Sequence, residues 1–202
     1  MPGMLRAFVA VELPGPVRAA LQEIQAGLKR IGIRARWVAP EKIHLTLKFL
    51  GSVPAGHVES IGRMLTAAAR DRAPVSLTAV GVGVFPGLRR PRVIWVGVAD
   101  RHNALGALQQ EIDTRLSALG FPAEAARFRG HLTIGRFAAG GSTGPLAEAL
   151  KQFAGQAAGS FEVREVVLFR SDLRPEGPLY TPLVRAPLGD SHPPGAAGTD
   201  AP

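Results

Sequence analysis

Apolar positions in this chain switch repeatedly between two periods. Ala7 to Leu13 is a short apolar-rich run closing at Pro14-Gly15, the pattern of a buried strand, and Val17, Leu21, Ile24, Leu28 and Ile31 then recur at spacings of four and three, one stripe of an amphipathic helix. After Arg34 to Val38 and a break at Pro40, Ile43 to Leu50 alternates as a strand, with Ile43, Leu45, Leu47 and Phe49 expected inward and His44, Thr46 and Lys48 outward. The turn Gly51 to Pro54 leads to a second helix marked by Val58, Ile61, Leu65 and Ala69. Val75 to Phe85 and Arg92 to Val98 read as strands flanking the loop Pro86 to Pro91. A third helix follows Leu105, Leu108, Ile112, Leu116 and Leu119 and ends near Gly120 and Pro122. Phe128 to Arg136 is again strand-like, Ala138 to Gly144 is glycine-rich, and Leu146 to Phe153 predicts a short helix. Phe161 to Phe169 reads as one long strand, paired with Leu179 to Ala186 across the loop Pro175 to Pro178. From Pro187 onward, Pro, Gly, Ala and Asp follow without period, the composition of a disordered tail.

A repeat turns this inventory into an architecture. His44-Leu45-Thr46-Leu47 recurs as His131-Leu132-Thr133-Ile134, and on a strand each His shares a face with the Thr two residues later. Shifting the chain by 87 residues lays Phe8 on Trp95, Ala10 on Gly97, Leu21 on Leu108 and Thr46 on Thr133. Identity between the halves is low, which leaves open two unrelated strand–helix–strand segments. Taken as a duplication, residues 4–51 and 92–138 are repeat units inside one unit spanning 1–186, with 187–202 as the tail. A pseudo-two-fold then puts the motif strands about a shared groove. The expected fold is α+β and bilobal, with antiparallel-rich sheets lining a central cleft and helices outside.

Composition narrows the chemistry. A 202-residue chain with 46% hydrophobic content can build an ordinary core. The formal charge of +8 points to an anionic partner such as nucleic acid or phosphate, a solvated cationic surface being the other reading. The absence of cysteine excludes disulfides, thiolate catalysis and cysteine-ligated zinc. The first residues lack a basic segment followed by an apolar run, and no stretch approaches the roughly 18 apolar residues of a membrane span. The expected location is the cytoplasm, with no membrane partner.

Two opposed imidazoles suit concerted acid–base work, because histidine ordinarily titrates near ~6.5. The hydroxyls of Thr46 and Thr133 beside them can donate to non-bridging phosphate oxygens, an arrangement fit for in-line cleavage of a phosphodiester. One such motif alone is more often structural; it is the doubling that points to catalysis. Neither motif holds a carboxylate, and two imidazoles fall short of the three protein ligands usual for catalytic zinc, so metal-free chemistry is expected. His57, His102 and His192 read as surface residues.

These residues resemble the 2H phosphoesterase superfamily, in particular its RNA 2',3'-cyclic phosphodiesterase branch, also called 2'-5' RNA ligases. The likeness runs through Arg6 to Ala10, Trp37, His44 to Gly51, Phe85-Pro86, Pro91 to Trp95, His131 to Arg136, and Ser171 to Leu173 with Tyr180, in family order over roughly residues 4 to 186. It implies hydrolysis of a 2',3'-cyclic phosphate at an RNA end to leave a 2'-phosphate, with reverse ligation to 2'-5' linkages. By the same resemblance His44 is the proton donor to the departing 3' oxygen, His131 activates water, Thr46 and Thr133 hold the phosphate, and Arg136 adds a charged contact. No metal or nucleotide cofactor is implied. The chain departs from the family at Gly130, where proline commonly precedes the second motif. Strict alternation also puts Arg136 on the face opposite His131, so it reaches a phosphate only if Gly135 introduces a bulge or the strand ends there. Further substrate contacts are expected from Phe8 and Trp95, as stacking surfaces or as core, and from Lys48, which alternation places beside His44 and Thr46. Arg89, Arg90 and Arg92 offer a track for an RNA backbone or a solvated loop. A small cyclic nucleotide or 2'-5' oligonucleotide as substrate, and a non-catalytic RNA-binding module, are the competing readings. A monomer is expected.

Overall fold

The computed structural model describes residues 3–138, 145–175 and 177–189. Nine strands and four helices alternate along it: β1 Met4–Glu12, α1 Gly15–Arg30, β2 Arg36–Trp37, β3 His44–Pro54, α2 Val58–Ala69, β4 Val75–Phe85, β5 Val93–Ala99, α3 Ala104–Ser117, β6 His131–Arg136, α4 Leu146–Gln152, β7 Ala157–Val163, β8 Glu165–Asp172 and β9 Leu179–Pro187. The fold is α+β, as expected, but the strands form one antiparallel sheet in the order β7-β4-β5-β6-β3-β1-β8-β9, with β2 paired to β6. Its centre is a seam where β3 and β6 meet at a single pair, Leu45 with Leu132. Outward from the seam the order is matched, β1 flanking β3 as β5 flanks β6. The outer strands are exchanged: β4, from the first half of the chain, sits beside β5, and β8, from the second, sits beside β1.

The unbroken apolar run of β1 follows from this position. Ala7, Val9 and Val11 face the main core under the helices, whereas Phe8 and Ala10 face a second cluster with Val167 and Phe169 on the other side of the sheet. A central strand buried on both faces has no reason to alternate. In α1, Val17, Leu21, Ile24 and Leu28 are buried, Pro16 opens the first turn, and Lys29 and Arg30 close the last, where the helix dipole favours cations.

Two expectations about the end of the chain are corrected. Phe161 to Phe169 is two strands, broken at Arg164, with β7 pairing β4 and β8 pairing β1. In a flat sheet these strands, six spacings of ~4.8 Å apart, would stand ~29 Å from each other. A one-residue link therefore requires the sheet to curl until its ends approach. Leu188, expected in the tail, is buried, and its N–H donates to the Arg164 carbonyl at 2.7 Å at this corner. The remainder of the expected tail, from residue 190, and most of the glycine-rich stretch, 139–144, lie outside the described residues. Among the described residues no helix is long and apolar enough to cross a membrane.

The other correction lies in β3. Ala10 pairs with Thr46 and the adjacent Val9 with Lys48, so Leu47 is an extra residue, a β-bulge that reverses the alternation after it. Lys48 is consequently not at the cleft beside His44 but 2% exposed on the core side, and Phe49 faces outward at 61%. Lys48 Nζ donates to Asp113 Oδ1 on α3 and to the Pro122 carbonyl (2.6 Å), while the Asp113 carboxylate also accepts the Glu124 N–H (3.2 Å). A buried ion pair contributes little net stability, yet removing one partner strands the other charge. Asp113→Ala is expected to lower unfolding free energy by roughly 3 kcal/mol, read as a fall in the urea midpoint; a loss below about 1 kcal/mol, the range of an exposed pair, would mean that water already reaches Lys48.

Candidate active site

The two motif strands carry their histidines in the same way. His44 Nδ1 lies 2.9 Å from the Lys42 carbonyl and His131 Nδ1 lies 2.8 Å from the Arg129 carbonyl, each two residues back along the chain. A carbonyl only accepts, so each Nδ1 carries the hydrogen and each Nε2 is the nitrogen left for chemistry. Both rings and both threonines line one cleft of about 890 Å³ on the sheet face away from the main core. The antiparallel register set by Leu45 and Leu132 puts His44 opposite Thr133 and Thr46 opposite His131. At the entry to β6, the Gly130 carbonyl accepts the Val98 N–H at 3.1 Å, which fixes this strand start without a proline.

Arg136 reaches the cleft because β6 is bulged as β3 is. Trp95 pairs with Thr133 and the adjacent Ile94 with Gly135, leaving Ile134 extra, so Arg136 turns to the face of His131 and lines the cleft. The equivalent residue of the first motif is Phe49, which also lines it. After identical motifs the fifth residue from the histidine is therefore an exposed aromatic ring on one side and a guanidinium on the other.

Phe8 and Trp95 do not serve as open stacking surfaces. The Phe8 ring lies 4.8 Å from the His44 ring and 5.3 Å from Phe169, with the Tyr180 edge at 5.1 Å, so it is a packed backing for His44. Trp95 stands behind His131 (6.5 Å) and Phe85 (5.0 Å) and is absent from the cleft lining; its indole covers Gly83, where a Cβ would come within 2.2 Å of it. Nor are the two equivalent. Thr46 pairs with Ala10 and Thr133 with Trp95, an offset of 85 residues in these strands against 87 in the motifs.

The cleft is cationic. Arg6, Arg36, Lys42, Arg136 and Arg174 line it, and among the described residues no Asp or Glu does. Arg89, Arg90 and Arg92, expected as an RNA track, lie outside the lining. Arg6, Arg36, Lys42, Arg174, Phe49 and Tyr180 were not singled out as contacts from sequence, since only their placement around the curled sheet gathers them. Burial, and secondarily the charge of Arg136, hold the His44 imidazole below its ordinary value despite the opposing effect of the Lys42 carbonyl. Burial raises the Tyr180 phenol against the pull of Arg136 and Arg6, so it stays a neutral O–H donor beside His44, whose ring it meets edge-on at 5.1 Å. Among the described residues no group of three or more His, Asp or Glu side chains is arranged to hold a metal ion.

The sequence matches the family described as LigT like Phosphoesterase twice in tandem, over residues 11–95 and 96–180. It is 36% identical, over 89% of its length and 96% of the relative's, to a Methanothermobacter thermautotrophicus protein named RNA 2',3'-cyclic phosphodiesterase. Its fold is similar to that of a solved structure from Thermus thermophilus, with a TM-score of 0.76 at 29% identity, covering 91% of this chain and 98% of the other. It is likewise similar to E. coli LigT complexed with 3'-AMP, with a TM-score of 0.73 at 26% identity, covering 92% of this chain and 99% of that one.

The electrostatics fix how His44 titrates. Its proton is disfavoured in the fold relative to the ordinary value of 6.5, so stability from this group is full above that pH and falls as pH drops through the folded value. By NMR the His44 ring is expected to titrate below 6.5, and Arg136→Gln to raise its pKa only part of the way back, because burial is the larger cause. A full return in that variant would make Arg136, not burial, the controlling group.

Proposed function

The chain belongs to the LigT-like phosphoesterases, and on that premise we propose that it opens 2',3'-cyclic phosphates at RNA ends to 2'-phosphomonoesters by metal-free paired-histidine catalysis, and that the same site runs the reverse 2'-5' ligation. The observation that carries the proposal is the pair of imidazoles, each holding its Nδ1 hydrogen on a backbone carbonyl and both lining one cleft with five cationic side chains. In this reading His131 Nε2 takes a proton from water as its oxygen bonds to phosphorus. The bond from phosphorus to the 3' oxygen breaks, and His44 Nε2 gives that oxygen its proton. The hydroxyls of Thr46 and Thr133 and the Arg136 guanidinium hold the non-bridging oxygens as charge builds on them.

The low proton affinity of His44 in the free protein fits a donor charged by its substrate. A phosphate anion beside the ring stabilises the imidazolium and offsets the burial that disfavours it. Five cations lining the cleft exceed what one cyclic phosphate monoanion requires, which favours an RNA end over a lone cyclic mononucleotide. Intact histidines and threonines argue against a binding module without catalysis. One chain supplies both halves of the site, which supports a monomer as the unit of function.

The test is turnover of an oligonucleotide ending in a 2',3'-cyclic phosphate. His44→Ala and His131→Ala are each expected to cut kcat/KM by about 10²–10⁴-fold, with wild-type activity unchanged by EDTA. Full activity in either variant would overturn the paired mechanism, and loss with EDTA would overturn its metal-free character. Because kcat/KM reports the free protein and kcat the complex, the ionisation belonging to His44 should lie higher in the kcat profile than in that of kcat/KM; the same position in both would remove the substrate-charged donor.

A further inference from the structure

Among the described residues only three polar side chains are buried: Gln25, Lys48 and Gln109. All three act on the motif strands. Gln25, on α1, donates through Nε2 to the carbonyls of Val38 (2.7 Å) and Ile134 (2.8 Å). Gln109, on α3, donates through Nε2 to the carbonyl of Leu47 at 3.4 Å. Leu47 and Ile134 are the two bulge residues, so the first helix of each half reaches the bulge of the other half's motif strand.

A bulge residue loses its regular ladder partner, and a carbonyl left unpaired in a core is costly. An apolar side chain at 25 or 109 would pack as well but would take this donor from the Leu47 carbonyl and leave the Ile134 carbonyl with the Val38 N–H alone. The Ile134 carbonyl also accepts the Val38 N–H at 3.0 Å, so Gln25 ties the strand bearing Arg136 to the segment bearing Arg36 and Trp37 at one point.

We propose that Gln25 and Gln109 are positioning residues that hold the two bulges open and thereby keep Arg136 and Phe49 turned into the cleft, each half of the chain latching the other. Gln25 is the tighter latch. The inference rests on the proposed function in that Arg136 is taken to contact the substrate phosphate.

The experiment is a double-mutant cycle between Gln25→Met, which keeps the volume and removes the donors, and Arg136→Ala, read as KM for the cyclic-phosphate oligonucleotide and Kd for an oligonucleotide ending in a 2'-phosphate. Loss of a charge-assisted contact costs roughly 10-fold or more in affinity. Arg136→Ala should raise both constants by that factor, Gln25→Met by several-fold with a smaller effect on kcat, and the double variant no more than Arg136→Ala alone. Multiplying losses, or a Gln25→Met protein that melts lower with KM unchanged, would overturn the proposal by making the glutamine purely structural. If Gln25→Met does not fold, Gln109→Met paired with Phe49→Ala repeats the cycle, with the same non-multiplying loss expected; failure of both glutamine variants to fold assigns the pair to the fold and overturns it too. A wild-type protein that leaves the cyclic phosphate intact is the separate outcome, and defeats the proposed function instead.

Discussion

Each motif strand is governed by one inserted residue. A strand of strict period two can show His, Thr and then the next residue but one on a single face, which here would be Lys48 in one copy and Gly135 in the other. The bulges at Leu47 and Ile134 replace these with Phe49 and Arg136 and send Lys48 and Gly135 toward the core. The two lobes accommodate the reversed position differently. In β3 a charged side chain enters the core and is met by Asp113 and the Pro122 carbonyl. In β6 there is no side chain to place: a Cβ at Gly135 would lie 2.9 Å from Ile94 and 3.2 Å from Trp37. One geometric requirement is thus satisfied once by an ion pair and once by omission.

The same bulges mark where the sequence was legible. The motif repeat, the helix stripes and the antiparallel α+β layout could all be read from period and spacing, because each is a local consequence of which residues need burial. Placing Lys48 beside His44 failed because a bulge has no signature in the apolar pattern: Lys-Phe reads as polar-out, apolar-in unless the partner strand is known. A bulge near Gly135 could be anticipated only because glycine is a common companion of one, and nothing comparable marks Leu47. Phe161 to Phe169 read as one strand for a related reason. Its apolar residues are buried on both sides of Arg164, and only pairing with opposite ends of the sheet separates β7 from β8.

The single 87-residue shift concealed a further point. Motif strands match at that spacing, but their neighbours β1 and β5 match at 85, so equal sequence positions do not make equal surroundings. Ala10 under Thr46 leaves room for Phe8, Phe169 and Tyr180 to close around His44, whereas Trp95 under Thr133 fills the corresponding space behind His131 and needs Gly83 beneath it.

A fixed assignment of donor and acceptor to two identical groups requires that their environments differ, since otherwise either could hold the proton. Identical motifs cannot provide that difference; the walls behind them can. His44 is walled by aromatic rings and faces Arg136, and its burial and that charge disfavour its proton. His131 has the Phe85 edge at 5.1 Å and Trp95 beyond. The bulges extend the asymmetry along the cleft with an aromatic ring on one strand and a guanidinium on the other, so a substrate with a base at one end and a phosphate at the other has a preferred direction. In the proposed chemistry that direction selects which imidazole meets the departing 3' oxygen, and symmetry in the backbone becomes a division of labour through the residues packed around it.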